Sequence, residues 1–272
     1  MINFEARSVQ RVLSITGYSL VVLVVIVGMS LAAGAAAHAP ERDSAAISTL
    51  QNAITALGGA NVIGSVQDCI LTGSFQYSDG STKNFNWTIA GVEFRRELDF
   101  PNGGSSVFFS GHGSPAWTQS GTTSALNYHM ARANLPLYLP PYVLFQELNN
   151  SKYTLKYVGV VRLNGNNVVQ VHVSDDSDAV GTLVTPQEWY FDPVSFLPLE
   201  VQFRQPSNEN AADYVNAAYV FSQFVPTNGV LISSTISYSQ DNAPNRTVTI
   251  GSVTFNSGVS QNVFNPPQGG GQ

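Results

Sequence analysis

Few residues in this chain have both the chemistry and the spacing of a reactive centre. The densest run is HVSDDSD, residues 172–178, where one imidazole stands beside three carboxylates. Oxygen-rich loops of this kind hold hard cations, but the glycine and closing glutamate of an EF-hand loop are missing, so the run reads first as a solvated turn. GHGSPAW, residues 111–117, sets a serine near a histidine, and its glycines and proline make it a turn before a nucleophile. The four histidines are scattered without an H-E-x-x-H. No G-x-S-x-G, phosphate-binding loop or G-x-G-x-x-G occurs. Cys69, the single cysteine, lies in VQDCILTG with no cationic neighbour to lower its pKa, and reads as a small apolar filler in a strand. The expected site therefore contains no catalytic residue, no metal ligand and no cofactor.

One charged residue breaks an apolar pattern. In VEFRRELDF, residues 92–100, Val92, Phe94, Leu98 and Phe100 share a face at period two, and Arg96 falls among them. A buried guanidinium needs a carboxylate, phosphate or carbonyl partner. Arg96 would thus pin a lid helix or meet an anionic head group. The plainer reading is a rim residue whose stem covers apolar surface while its head reaches water.

The elements that must position these residues are mostly strands. The 272 residues are 43% hydrophobic but only 11% charged, with a net charge of −6 and no basic stripe, which argues against nucleic acid as a partner. Residues 1–37 carry Arg7 and Arg11 ahead of an almost wholly apolar run that ends in small residues; they read as a secretory signal peptide or an uncleaved membrane anchor. Either exports the rest to the periplasm or beyond. One helix follows: Asp43 or Ser44 caps it, Ile47, Leu50, Ile54 and Leu57 form its stripe, and Gly58-Gly59 ends it. Alternating runs separated by turn residues then predict an antiparallel meander, interrupted at 128–151, where PPYVLFQELN predicts a short helix starting at its prolines. In WYFDPVSFLPLEVQF, residues 189–203, Asp192-Pro193 fixes the hairpin turn, and Pro198 requires its strand to start late or run along an edge. The last three strands are predicted at 212–225, 230–240 and 246–256. A wide sheet with one greasy side needs a cover.

ITALGGANVIGSVQDCILTG, FRREL, EWYFDPVSFLPLEVQF and the closing NGVLISSTISYSQDN and RTVTIGSVTFN resemble secreted proteins of the broad LolA/LolB-like group. The resemblance lies in the order of elements and the D-P-x-[ST]-x-L-P turn. It implies an α+β fold: a strongly curved, incomplete antiparallel β-barrel of about 11 strands, with the N-terminal helix and the mid-chain helical segment covering the concave face. One half-barrel domain would span 38–264, with a flexible tail at 265–272. The group's best-known members carry lipoprotein acyl chains across the periplasm. The chain departs from the outer-membrane acceptor type, because no cysteine follows its apolar segment. Phe75, Tyr77, Phe85, Trp87, Ile89, Phe94, Arg96 and Leu98 are the candidates for a cavity lining, since an acyl cleft is concave, apolar and sparsely polar. The expected function is non-catalytic binding of an acyl chain, a lipid or the lipid of a lipoprotein. The alternative is a structural or interaction module of the envelope whose sheet is filled by its own side chains.

Overall fold

The first helix shows how the sheet acquires its cover. In the computed structural model α1 runs Ser44–Ala56, and the Asp43 side chain caps it by accepting from the Ala45 N–H at 2.8 Å. Its buried stripe is Ala46, Leu50, Ala53 and Ile54, while Ile47 is only half buried. A search for large apolar residues overlooks the two alanines that face the core. Gly58 ends the helix at φ 135°, and a Cβ there would strike the Gly229 carbonyl oxygen. The Leu231 N–H donates to the Leu57 carbonyl at 2.8 Å, tying the helix end to a distant strand.

The structure describes residues 40–91, 93–99, 105–109, 116–119, 122–125, 128–133, 136–207 and 213–265, all within one compact unit, Pro40–Gln272. The expected leader, most of the expected tail, most of GHGSPAW, and Val92 and Phe100 lie outside the described residues. After α1 come α2 (Ala60–Gly64), β1 (Asp68–Tyr77), β2 (Thr82–Ala90), β3 (Glu93–Asp99), β4 (Ser105–Phe109), β5 (Ala116–Gln119) and β6 (Thr122–Ala125). The middle of the chain gives α3 (Tyr128–Ala133), α4 (Pro140–Asn149), β7 (Tyr153–Leu163), β8 (Asn166–Asp175), α5 (Ala179–Val184) and β9 (Gln187–Phe191). It closes with β10 (Pro198–Pro206), β11 (Tyr214–Thr227), β12 (Val230–Gln240), β13 (Ala243–Phe255) and a 3-10 turn, Gln261–Phe264.

Among the described residues the strands form one sheet of 13 in the order β6-β5-β4-β3-β2-β1-β13-β12-β11-β10-β9-β8-β7. Each neighbour pairs antiparallel, and β6 and β7 are left as edges, so the barrel is incomplete. The pairing of β1 with β13 joins the two ends of the chain. As expected, α4 begins at its prolines, which tolerate the first helical turn because they have no N–H to satisfy. The acidic loop instead contains α5, whose start is capped by Asp178 accepting from the Gly181 N–H at 2.6 Å.

The Asp192 carboxylate accepts from the Val194 and Ser195 N–H groups at 3.0 and 2.7 Å, fixing the turn between β9 and β10. Of the two options open to Pro198, the strand takes the late start. β10 begins at Pro198 with a register irregularity before Glu200, and it lies inside the sheet between β9 and β11. Side chains from α1, α2, α4 and one sheet face form a single apolar cluster. Among the described residues no helix is long and apolar enough to cross a membrane.

Candidate functional site

Strand register decides which side chains share the helix-covered face. Gly73 opposes Phe85, Leu71 opposes Trp87 and Cys69 opposes Ile89; across the next ladder Phe85 meets Leu98, Trp87 meets Arg96 and Ile89 meets Phe94. Alternation adds Phe75 and Tyr77, so all eight expected residues fall on one face. They do not share one environment. Phe75, Phe85, Trp87, Ile89 and Phe94 are buried in the main core, whereas Tyr77, Leu98 and Arg96 are half-exposed.

The buried rings form a packed floor. Phe85 and Trp87 stack with centroids 4.1 Å apart, and Phe75 sits 5.0 and 5.6 Å from them. Gly73 makes this possible, since a Cβ there would strike the Phe85 ring and the Thr249 carbonyl. Tyr138, just before α4, lays its ring on Trp87 at 3.5 Å between centroids. Burial pushes the Tyr138 phenol far above its ordinary range, with Arg96 pulling the other way. Its hydroxyl and the Trp87 indole N–H are both buried without a hydrogen-bond partner. Tyr142 on α4 donates to the Gly91 carbonyl at 2.5 Å, fixing the helix over β2 and β3. Where α2 and α4 meet β12, a cavity of about 10 Å³ remains.

The same face continues across the C-terminal strands, where the sequence offered no cavity candidate. Phe203 on β10 stacks on Tyr219 of β11 at 5.2 Å, and Tyr219 lies 5.1 Å from Tyr238 of β12. Arg246 of β13 places its guanidinium 3.9 Å from the centroid of Tyr238, 5.0 Å from Phe75 and 5.9 Å from Tyr77. Tyr238 is buried and accepts from Gln205 Nε2 at 2.6 Å, while Phe203, Tyr219 and Arg246 are half-exposed. On the opposite face of the same strands a cleft of about 340 Å³ is bordered by the cross-strand row Gln76, Thr247, Ser237 and Val220. Among the described residues the aromatic face is therefore packed where α2 and α4 cover it and half-exposed at the end marked by Tyr77, Leu98, Tyr219 and Arg246.

The other candidates disperse into structural roles. Asp175 is buried between Arg132 at 2.9 Å and Lys152 at 2.8 Å; burial raises its pKa, but hydrogen bonds from Lys152 and Ser177 outweigh that and leave it lowered. Asp176 accepts from the Thr154 hydroxyl at 2.6 Å. His172 pairs with Glu188 at 2.6 Å, and His129 meets the Tyr214 hydroxyl at 2.8 Å. Cys69 is fully buried in β1, and burial pushes its thiol well up, the opposite of an activated nucleophile. Among the described residues no three His, Cys, Asp or Glu side chains group as metal ligands would.

Solved structures with the same architecture include a putative outer membrane lipoprotein-sorting protein domain from Vibrio parahaemolyticus, at 13% identity and TM-score 0.53, covering 80% of this chain and 95% of that one. A LolA superfamily protein from Nitrosomonas europaea aligns at 8% identity and TM-score 0.53 over 81% and 97% of the two chains. A DUF1329 family protein from Desulfovibrio piger aligns at 12% identity and TM-score 0.52 over 80% and 96%. No protein-family model and no curated protein matches the sequence. The chain has the LolA-like fold.

Proposed function

We propose that this is an exported envelope protein that holds a hydrophobic ligand, an acyl chain or the lipid of a lipoprotein, on the helix-covered face of its open sheet without chemically changing it. The observation that carries this reading is the half-open end of that face, where Tyr77, Leu98, Phe203 and Tyr219 keep apolar side chains partly in water beside a packed aromatic floor. A ligand laid there would draw its free energy from apolar burial, at roughly 25 cal/mol per Å². The fold likeness to a putative lipoprotein-sorting domain supports the same class of cargo. Residues 1–37, as signal peptide or anchor, supply the export.

The second reading, a structural or interaction module of the envelope, draws on the packed end of the face. There Phe75, Phe85, Trp87, Ile89 and Phe94 are buried against their own neighbours among the described residues, with a cavity of about 10 Å³ where α2 and α4 meet β12. One experiment separates the two. Titrating delipidated protein with a fluorescent fatty acid gives saturable binding if the face is a ligand site; absence of saturation rules in favour of the self-filled module.

A further inference from the structure

We propose that the ligand is an anionic amphiphile and that Arg246 receives its head group. This deepens the binding reading and depends on it. A guanidinium drawn partly out of water is held by an anion or by several carbonyls. Among the described residues Arg246 has neither. Its Nη1 donates to Asn245 Oδ1 at 3.1 Å, its Nε is buried without an acceptor, and no carboxylate pairs with it. What surrounds it instead is aromatic: the rings of Tyr238, Phe75 and Tyr77. Rings stabilise the cation through their faces but accept few of its five N–H donors, which leaves hydrogen-bonding capacity in the plane of the guanidinium.

The neighbourhood is cationic as well. On the same face Lys83 sits over the Tyr77 ring at 4.9 Å, the ring that lies 5.9 Å from the Arg246 guanidinium. Two positive side chains, Lys83 and Arg246, thus share the Tyr77 ring in a chain whose net charge is −6. The Arg246 guanidinium, set among rings without a carboxylate, favours an anionic partner over a neutral one. The shared chemistry is a carboxylate or phosphate, with a chain that lies along the half-open aromatic end.

The test titrates delipidated protein with a fatty acid, with the methyl ester of the same acid, and with inorganic phosphate as competitor. The acid is expected to bind about 10- to 100-fold more tightly than the ester, as a charge-assisted hydrogen bond implies. Arg246→Gln should abolish that preference, Arg246→Lys should retain most of it, and phosphate at millimolar concentration should not compete. Because Arg246 packs on three rings, a thermal melt of each variant accompanies the titration. Should Arg246→Gln fail to fold, the acid-to-ester ratio of Arg246→Lys and of the native protein decides. Equal binding of acid and ester overturns the anionic head group while leaving the binding reading intact. An unchanged preference in Arg246→Gln moves the head group away from Arg246, and effective competition by phosphate shows a site for free anions. Binding of neither acid nor ester removes the binding reading itself.

Discussion

Glu147 should make the docking of α4 depend on pH, in a direction opposite to that of most carboxylates. Its side chain is 1% exposed, and Oε1 accepts from Gln187 Nε2 at 2.7 Å while Oε2 has no partner. Gln187 Oε1 in turn accepts from the Trp189 indole N–H at 2.8 Å, so the amide cannot turn to offer Glu147 more. Burial pushes the carboxyl from 4.5 up to about 8, with the Gln187 hydrogen bond pulling it partly back. Between those two values the folded protein binds a proton that the unfolded chain releases, so stability is fully present below 4.5 and is lost as pH rises through 8. At about 1.4 kcal/mol per pH unit the whole effect approaches roughly 5 kcal/mol, a ceiling that local opening of the helix would lower. Denaturant unfolding at pH 5, 7 and 9 for the native protein and Glu147→Gln measures it. Other titrating groups act alike in both proteins, so their difference isolates Glu147. The variant, which cannot ionise there, should gain about 2–5 kcal/mol on the native protein between pH 5 and 9. Parallel pH profiles, agreeing within about 0.5 kcal/mol, would refute the assignment of a buried, protonated carboxyl.

Three further outcomes follow from other contacts. Tyr138→Phe removes a buried hydroxyl that has no partner, so it should leave stability unchanged or raise it by about 1–2 kcal/mol; a loss above about 1 kcal/mol in chemical denaturation would mean the hydroxyl is bonded. Gly73→Ala drives a Cβ into the Phe85 ring and the Thr249 carbonyl, and thermal unfolding should show a loss of about 2 kcal/mol or more. Asp192→Ala deletes the acceptor for Val194 and Ser195, costing about 1–2 kcal/mol at neutral pH. The backbone hydrogen bond from Ser195 holds that carboxyl below its ordinary range, so its contribution is present at neutral pH and disappears as pH falls, and the deficit of the variant should shrink in acid.

Local chemistry was legible in the sequence because it acts over a few residues. Asp43 capping α1, the prolines opening α4 and Asp192 closing its turn each act on backbone within a few positions. Alternation likewise put Phe94, Arg96 and Leu98 on one strand face, and the β2–β3 register agrees. The short α3, α5 and 3-10 turn were missed because four to six residues carry no helical period to read. Arg246 was legible in part: period two aligns it with Val248 and Ile250, which are buried. Which neighbours that row would meet was not legible, because β13 pairs with β1 from the far end of the chain and that pairing brings Phe75 and Tyr77 to the guanidinium.

Sequence by itself thus determined the strands, the turns and the alternation that gives this sheet one apolar face. Tertiary structure alone decided that Tyr138 folds back onto Trp87, that the helices pack on one end of the face, and that Arg246 stands among rings at the other. The division is physical. Turns and alternation are set by neighbours a few bonds away, whereas the environment of a side chain depends on which distant segments pay the loop-closure entropy to reach it.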